Sequence, residues 1–330
     1  MINKSTNFWL HPKDLQAALH TVLYLGEDYD EKSLLTIIIT TYNRPFLLKE
    51  SLDSAYMQNT VYKYNILVVD NCSDERLPAD FFVNREYKNL KYVRNNSNLG
   101  MFGNMNQGIA IAETKYLSFL HDDDLYSPLF VQSVIELIKK KPFQAFHVGI
   151  EKIFNKKEIG VPKDCSGSLK KLKDWQMIFN GPGAPTGLVV NRTCIKDLGG
   201  FNVEYHPTSD YCMGVLLSHY YSYYIFSKVL CYYRVAENES MNVNTLKAFV
   251  HNDFYLREFI FNHYSIPSMI KSNLHGFMIY DQIDVLRRNY NNDFVFDEKE
   301  LLKSYRRRNR FTYLICRLLI EAIIRVKQWI

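Results

Sequence analysis

The chain lacks the features that mark several common classes of protein. Its six cysteines are scattered, without a C-x-x-C pair or a Cys/His cluster, which argues against a zinc site and fits a reducing compartment. No G-x-x-x-x-G-K-[ST] loop occurs, and no G-x-G-x-x-G follows an expected strand. No apolar run reaches the roughly 18 residues that a spanning helix needs. Lys4, His11 and Lys13 interrupt any signal-peptide core. A cytoplasmic, soluble protein is therefore expected.

Positive charge is concentrated at the C-terminal end. The net charge is +5, and residues 303–330 hold eight of the 40 Lys and Arg residues but only one of the 35 Asp and Glu residues. Residues 1–302 therefore carry a slight excess of acid, so binding of nucleic acid by the whole protein is not expected. With 330 residues, 47 % of them hydrophobic, the chain suffices for one large domain or two closely packed ones.

Strand and helix patterns alternate over residues 34–141. Short β-branched or apolar runs predict buried strands, and the segments between them have helical spacing. The expected strands are 34–39, 65–69, 90–93 and 116–120, and the expected helices are 46–57, 98–112 and 127–141. This rhythm predicts an α/β fold with a mostly parallel, Rossmann-like sheet flanked by helices.

After Pro142 the rhythm changes. Strands are expected at 143–154, 186–190 and 223–234, and helices at 169–179, 210–219 and 245–288, with one further short helix at 14–25. The C-terminal region is therefore expected to be a helical extension of the α/β part.

Three of the expected strands end in polar side chains. Thr40 and Tyr42 follow the first strand, Asp70 ends the second, and Asp122–Asp124 follow the strand at 116–120. In an open α/β sheet, ligands bind in the crevice outside the carboxyl ends of the strands. These side chains are therefore expected to line one crevice, although they are far apart in the sequence.

The three consecutive carboxylates indicate what this crevice holds. Carboxylates this close repel one another and are costly to bury unpaired. A divalent cation removes the conflict, and Mg²⁺ or Mn²⁺ binds carboxylate oxygens together with substrate phosphates. Tyr42 offers a flat face to a base, and Asp70 can accept a base N–H, so the set predicts a nucleoside diphosphate site. The alternative is that Asp122–Asp124 cap the helix that begins after Ser127.

Five segments resemble family 2 glycosyltransferases, in the order in which that family has them. They are IIITTYNRP (37–45), VVDNCSD (68–74), the N-x-G steps at 98–100 and 106–108, FLHDDDLYSP (119–128), and GGFN followed by SDY (199–211). The resemblance implies a GT-A fold, a nucleotide-sugar donor, a divalent metal and inversion at the anomeric carbon.

The resemblance also implies a domain organisation. Residues 1–33 form an N-terminal extension, and residues 34–240 form the GT-A domain. Its nucleotide-sugar-binding half is 34–141 and its acceptor half is 142–240. Residues 241–330 form a helical C-terminal region that ends in the basic tail 303–330.

Roles for single nucleotide-binding residues follow from the same resemblance. Thr40 and Tyr42 match the nucleoside-binding pair, and Asp70 matches the uracil-binding carboxylate. Further donor contacts are expected from Arg44, Asn98, Gly100, Asn106, Gly187 and Arg234. For Asn98, Gly100 and Asn106, helix capping and close backbone packing are the alternative; for Gly187 it is a simple bulge, and for Arg234 a structural ion pair.

The metal is assigned to the DxD-like segment. Asp123 matches the metal-coordinating Asp of the motif. Asp122 and Asp124 flank it, and contact with the ribose or with water on the metal is expected of them; Asp124 is counted among the metal ligands and Asp122 among the nucleotide-sugar contacts. His121 stands where many members have the first Asp, and a neutral imidazole can serve there. Ala236 replaces the His that ends the family's Y-R-x-H segment.

Inversion requires a base beside the acceptor hydroxyl, and Asp210 is the expected catalytic base. The segment Ser209-Asp210-Tyr211 resembles the family's E-D segment at the start of a helix. Partial desolvation raises the pKa of such a carboxylate toward the working pH. The alternative is that Asp210 serves the N-terminus of that helix.

The tail FTYLICRLLIEAIIRVKQWI (311–330) predicts a basic amphipathic helix. One narrow stripe of a helical wheel holds Arg310, Arg317, Glu321, Arg325 and Gln328, and the other residues are mainly apolar. Such a helix suits the surface of an anionic bilayer, where each basic residue adds ~1 kcal/mol. The alternatives are packing on the catalytic domain and formation of a homodimer.

Taken together, these patterns predict a metal-dependent hexosyltransferase, peripheral on the inner face of the cell membrane. It would move a hexose or N-acetylhexosamine from a UDP-sugar to a lipid-linked saccharide in surface polysaccharide biosynthesis, such as O-antigen or capsule. A non-catalytic nucleotide-sugar-binding or scaffold protein is the alternative, favoured by His121 and Ala236. A metal-dependent phosphatase is disfavoured, because Leu125 and Tyr126 do not complete a D-x-D-x-[TV] pattern.

Overall fold

The computed structural model describes residues 2–6, 8–9, 21–26, 32–78, 80–83, 89–154, 167–179, 185–235, 242–289, 296, 301, 303, 305 and 309–327. The strands are β1 (Thr21–Gly26), β2 (Leu35–Thr41), β3 (Asn65–Asp70), β4 (Leu90–Asn95), β5 (Tyr116–His121), β6 (Leu125–Tyr126), β7 (Ala145–Ile153), β8 (Leu169–Leu172), β9 (Leu188–Asn191) and β10 (Tyr223–Arg234). The α-helices are α1 (Pro45–Tyr56), α2 (Asp80–Val83), α3 (Gly100–Ile111), α4 (Phe130–Lys140), α5 (Arg192–Asp197), α6 (Ser209–Tyr220), α7 (Val243–His263), α8 (Ser268–Asn289) and α9 (Arg310–Lys327), and 3₁₀ turns lie at Asp174–Ile178 and Val203–Tyr205.

All ten strands belong to one sheet, in the order β1-β4-β3-β2-β5-β9-β7-β10-β6, with β8 on β10. The four strands β4, β3, β2 and β5 are parallel. β9 runs antiparallel to both of its neighbours, and β10 is parallel to β7 and antiparallel to β6 and β8. β1 runs antiparallel to β4 at the edge of the sheet. The α/β class is thus confirmed, with a mixed sheet whose parallel part β4-β3-β2-β5 comes from residues 35–121.

Two expected helices are wrong in whole or in part. Residues 169–172 form the edge strand β8, which pairs with β10, and only a 3₁₀ turn follows at Asp174–Ile178. The predicted helix at 14–25 lies mainly outside the described residues, and its end belongs to β1, which pairs with β4. In both places pairing with a neighbouring strand decides the structure over local helical spacing.

The residues of β2 explain why this strand lies at the centre of the parallel part. All seven are buried, as expected for a β-branched strand with both faces covered. α3 covers one face closely, because a Cβ atom added at Gly108 would lie 2.5 Å from Ile38 Cγ2. α1 begins with Pro45 at its N-terminus, where the missing N–H costs nothing.

The chain divides into two compact units. One contains the whole sheet and α1–α6, within residues 11–203 and 209–236. The other comprises the described parts of 1–10, 204–208 and 237–330, where α7 and α8 share a core that includes Val250, Ile279 and Ile283. Among the described helices, none combines the length and hydropathy that crossing a membrane requires.

Candidate active site at the carboxyl ends of the strands

Strand register brings the predicted polar residues into one row. Thr41 at the end of β2 pairs with Asp70 at the end of β3, and Asp70 pairs with Arg94 on β4. On the other side of β2, Thr40 pairs with His121 at the end of β5. The convergence at the carboxyl ends of the strands, inferred from separate sequence segments, is present in the structure.

Asp122 holds the segment that follows β2. Its Oδ2 accepts hydrogen bonds from Thr41 Oγ1 at 2.8 Å and from the Tyr42 N–H at 3.3 Å. The guanidinium of Arg44 lies 3.6 Å from its Oδ1. Tyr42 itself remains 40 % exposed, so part of its side chain is open to a ligand.

Asp123 is paired with the same arginine. Arg44 Nη1 donates to its Oδ2 at 3.0 Å, and Arg234 Nε donates to its backbone carbonyl at 2.9 Å. Arg234 also forms an ion pair with Glu50 on α1. Arg234 therefore forms a structural ion pair, which was the alternative to a donor contact predicted from the sequence. It also contacts the carboxylate cluster, through the backbone of Asp123.

Asp124 is fixed from two other directions. Thr186 Oγ1 donates to its Oδ2 at 2.6 Å, and the N–H of Arg234 donates to its Oδ1 at 3.0 Å. The pairing of β6 with β10 brings Arg234 to this position. Neither Thr41 nor Thr186 was identified from the sequence. Thr186 lies 62 residues from Asp124, and only the fold brings the two together.

Burial sets the protonation behaviour of the cluster. Desolvation, followed by the charge of Asp123, raises the pKa of Asp122 to about 6 and that of Asp124 to about 7. Desolvation also lowers the pKa of His121 below its ordinary value, so its imidazole is neutral at pH 7. Because the two carboxyl pKa values are raised, this pair destabilises the folded state increasingly as pH rises from about 4 to about 7.

The residues present fit a divalent cation. One nitrogen of His121 and one carboxylate oxygen each from Asp123 and Asp124 lie within 4.8 Å of one another. In the described part of the chain His121 Nε2 is buried and has no hydrogen-bond partner. A cation at this point would satisfy that nitrogen and neutralise the adjacent carboxylates, so the chemistry of the donor set agrees with a metal.

Asp70 differs from the expected ligand-facing carboxylate. It is fully buried; its Oδ1 accepts from the N–H and the hydroxyl of Ser73, and its Oδ2 accepts from Tyr92 OH at 2.7 Å. Arg94 Nε lies 3.7 Å from Oδ2. These contacts make Asp70 the anchor of the loop after β3; a direct contact with a base stays a prediction.

The loops after β2 and β3 are joined to each other. The N–H of Asn43 donates to Ser73 Oγ, and the Asn43 side chain both donates to and accepts from Asp74. The segment that carries Tyr42 and Arg44 is thereby held against the loop that Asp70 anchors. In the sequence, the residues that make this link stand in two separate motifs, with Asn43 in one and Ser73 and Asp74 in the other.

Two residues expected to contact the donor, Asn98 and Gly100, organise the start of α3. Asn98 Oδ1 accepts from the Gly100 N–H and from the Asn71 side chain, at 2.9 and 2.8 Å. Gly100 has a φ of +70°, a conformation that favours glycine. The capping alternative is therefore present in the structure, and contact with a donor sugar stays a prediction for both.

Asn106 binds a distant backbone segment. Its side-chain amide donates to the carbonyl of Phe201 at 2.7 Å and accepts from the N–H of Phe201 at 2.8 Å. Both residues are buried. The amide thus makes the two backbone hydrogen bonds that a neighbouring strand would otherwise make. These bonds fix the Gly-Gly-Phe segment (199–201) to α3.

Asn106→Ala is expected to lower the free energy of unfolding by about 2–4 kcal/mol, because it leaves two buried backbone groups of Phe201 without partners. Urea unfolding followed by circular dichroism measures the change. Asn244→Ala, at an exposed position near the start of α7, is the matched control and should change stability little. Equal midpoints for the two variants would contradict this account of Asn106.

Gly187 has a packing requirement of its own. Its φ is +87°, and an added Cβ would lie 2.9 Å from Cys231 Sγ and 3.1 Å from Val148 Cγ2. Both contacts are inside the sheet. Close packing therefore explains this glycine, and its contact with a sugar stays a prediction.

Asp210 lies in the first turn of α6 and is half-buried. Its Oδ1 accepts from the N–H of Tyr211 at 2.7 Å. The Tyr211 hydroxyl donates to the carbonyl of Met177, which fixes the start of α6 to the 3₁₀ turn. An acidic group is favoured here by the helix dipole, as the alternative interpretation of Asp210 expected.

Comparison with known proteins identifies the class. The sequence model of Glycosyl transferase family 2 matches residues 36–206, which is more than half of the chain. The chain therefore belongs to family 2 of the glycosyltransferases, as the five motifs predicted.

Similarity to individual proteins is partial in sequence and broad in fold. The chain is 34 % identical to Escherichia coli chondroitin synthase over 120 residues, 34 % of this chain and 17 % of that protein. It is 33 % identical to a Campylobacter jejuni GalNAc(5)-diNAcBac-PP-undecaprenol beta-1,3-glucosyltransferase over 93 residues, 27 % of this chain and 29 % of that protein. The matches thus span less than a third of either relative.

The fold comparison extends further along the chain. The crystal structure of S. aureus TarS 1–349 in complex with UDP-GlcNAc superposes with a TM-score of 0.53 at 17 % identity, over 89 % of this chain and 92 % of that one. The GT-A fold expected from the sequence is confirmed.

Proposed function

We propose that this chain transfers a hexose or N-acetylhexosamine from a UDP-sugar to a hydroxyl of a saccharide, with inversion at the anomeric carbon. The observation that carries the proposal is the meeting of Tyr42, His121 and the three carboxylates at the carboxyl ends of β2 and β5, in a family 2 domain. UDP is favoured because a protein of the same fold is complexed with UDP-GlcNAc.

Tyr42 and Thr40 are proposed to form the nucleoside pocket. The exposed face of Tyr42 stacks on the base, and Thr40 lies at the end of the central strand. Asp70 shapes the pocket from behind, because its bonds to Ser73 hold the loop that faces Tyr42.

The diphosphate is proposed to lie beside Arg44 and the carboxylate cluster. The Arg44 side chain is about one third exposed, so its guanidinium can reach a phosphate oxygen. Arg234, fixed by Glu50, keeps Asp123 and Asp124 in place. A divalent cation held by His121, Asp123 and Asp124 would supply positive charge to the departing UDP.

Asp210 is proposed to accept the proton of the acceptor hydroxyl as the oxygen attacks the anomeric carbon from the face opposite UDP. The carboxylate then holds that proton while the glycosidic bond to UDP breaks, so one displacement inverts the centre. Its half-buried place at the start of α6 suits a base that is partly desolvated yet open to substrate.

The full chain with Mn²⁺ and a panel of UDP-sugars, with and without lipid-linked saccharides, tests the proposal. We expect UDP release with at least one donor, increased by an acceptor, and binding of UDP by calorimetry. Absence of both UDP binding and UDP release with every donor would overturn it.

A non-catalytic nucleotide-sugar-binding protein is the second candidate, favoured by His121 in place of the motif's first Asp. It predicts UDP binding without release of UDP from any donor. Asp210→Asn then leaves every measured property of the nucleotide complex unchanged.

The acceptor is proposed to be lipid-linked, at the surface of an anionic bilayer on the cytoplasmic side. α9 packs on α8 through a side that includes Cys316, Ile320 and Tyr313, whose ring stacks on Phe277 with centroids 4.4 Å apart. Another apolar side of the helix stays exposed, at Phe311, Leu314, Ile315, Leu318 and Leu319. The basic excess of residues 303–330 complements a negative surface.

The variant Leu314→Glu/Leu318→Glu is expected to weaken binding to vesicles of phosphatidylglycerol and phosphatidylcholine about tenfold or more, because two exposed apolar side chains no longer enter the interface. Vesicle co-sedimentation measures binding, and pure phosphatidylcholine should bind less. Met269→Glu is the matched control, since Met269 is an exposed apolar residue at the start of α8. A wild-type dimer that the double variant separates, without vesicle binding, would instead assign this side to a second copy.

A further inference from the structure

His121 departs from the family's motif and has an unsatisfied nitrogen. Its Nε2 is buried and has no hydrogen-bond partner among the residues that the structure describes. The backbone N–H of the same residue donates to Thr186 Oγ1 at 3.3 Å, so the chain around the imidazole is fixed. A buried polar atom without a hydrogen-bond partner is unusual, because it destabilises the folded state unless a ligand binds it.

The surroundings of His121 match a coordination sphere. One of its ring nitrogens, one oxygen of Asp123 and one oxygen of Asp124 lie within 4.8 Å of one another. Asp124 already accepts from Thr186 and Arg234, which orients its carboxylate. Such outer hydrogen bonds are what positions ligating carboxylates in metal sites, and each oxygen keeps a further lone pair.

Ligation through Nε2 requires one of the two neutral tautomers of the imidazole. A neutral imidazole that carries its proton on Nδ1 presents the lone pair at Nε2, where a cation can bind. The Asp123 carboxylate is bonded to Arg44 at Oδ2, and Arg234 is bonded to the backbone carbonyl of the same residue, so Asp123 Oδ1 receives neither of these two bonds.

We propose that His121 Nε2 is a ligand of the divalent cation and that this nitrogen makes the site select Mn²⁺ over Mg²⁺. The inference rests on the metal site of the proposed function. Mg²⁺ prefers a sphere of oxygen ligands, whereas imidazole suits first-row transition ions. A site of one nitrogen and two carboxylates therefore favours Mn²⁺ more than the all-oxygen set of the usual motif does.

Pulsed EPR of Mn²⁺ bound to the full chain, without any sugar donor, tests the ligand directly. We expect ¹⁴N modulation from the imidazole in the wild type and its loss in His121→Asn. His251→Asn is the matched control, because His251 lies on α7 in the other compact unit, and it should keep the modulation.

Competition calorimetry tests the selectivity. We expect His121→Asp to bind both ions, with the ratio of Mg²⁺ to Mn²⁺ dissociation constants about tenfold or more lower than in the wild type. Since His121→Asp restores the motif's carboxylate, it tests selectivity even if His121→Asn fails to fold. Unchanged ¹⁴N modulation in His121→Asn, or an unchanged ratio in His121→Asp, overturns the inference.

Failure of this inference and failure of the proposed function are distinguishable. ¹⁴N modulation from His121 without turnover of any donor refutes the transferase but leaves the ligand assignment intact. Transfer of sugar with equal use of Mg²⁺ and Mn²⁺, and no ¹⁴N modulation, refutes the ligand assignment but leaves the transferase intact.

Discussion

Asp123→Asn is expected to reduce sugar transfer by about 10³-fold. The carboxylate lies next to His121 and Asp124 in the donor set and is paired with Arg44. Asparagine keeps the size of the side chain but removes its charge, so both binding of the cation and stabilisation of the departing UDP are weakened. Initial rates of UDP release at saturating Mn²⁺ measure the effect.

The control for this variant is Asp281→Asn, which removes the same charge from an exposed position on α8. It should keep wild-type activity. The midpoint of thermal unfolding in the absence of metal should not fall for Asp123→Asn, because removing one of three adjacent carboxylates relieves repulsion. Activity within threefold of the wild type would rule out Asp123 as a metal ligand needed for transfer, by comparison with the expected 10³-fold loss.

Asp210→Asn is expected to lower kcat by about 10²–10⁴-fold, because the amide cannot accept the proton of the acceptor hydroxyl. The KM for the UDP-sugar should change little, since the residue is proposed to act on the acceptor. The acidic limb of the pH profile of kcat/KM should disappear in the variant. Steady-state rates over pH 5–9 give all three quantities.

If Asp210 has only a structural role, Asp210→Asn should change stability and not kcat. Loss of a charge at a helix N-terminus costs about 0.3–1 kcal/mol of stability. Asp197→Asn, at an exposed residue that ends α5, controls for loss of an acidic charge from the same compact unit. Wild-type kcat in Asp210→Asn, with only a small loss of stability, would show that Asp210 stabilises the helix N-terminus and is not the base.

The parallel half of the sheet was predictable because its strands are unbroken β-branched runs that end at polar residues. β2 and β3 begin and end within two residues of the expected bounds. β8 was not predictable, because Leu169 and Leu172 have helical spacing, and only pairing with β10 makes the segment a strand. Edge strands owe their conformation to a partner that local sequence does not show.

The position of the candidate site could be predicted from the sequence, but the roles of its residues only in part. The predicted strand ends gave the positions of Tyr42 and the three carboxylates. The sequence did not show that Tyr92, 22 residues away, and Ser73 occupy the oxygens of Asp70. Nor did it show that the amide of Asn106 is bound to Phe201, 95 residues away. Such pairings depend on register and crossover geometry.

The exposed apolar side of α9 has a consequence for handling the protein. Five neighbouring apolar side chains of this helix are at least 42 % exposed, and water disfavours contiguous patches of this kind. We expect a detergent micelle, a lipid nanodisc or another copy to cover them, so the aggregation state should change with the detergent or lipid chosen. Activities from different preparations should therefore be compared at one fixed detergent or lipid composition.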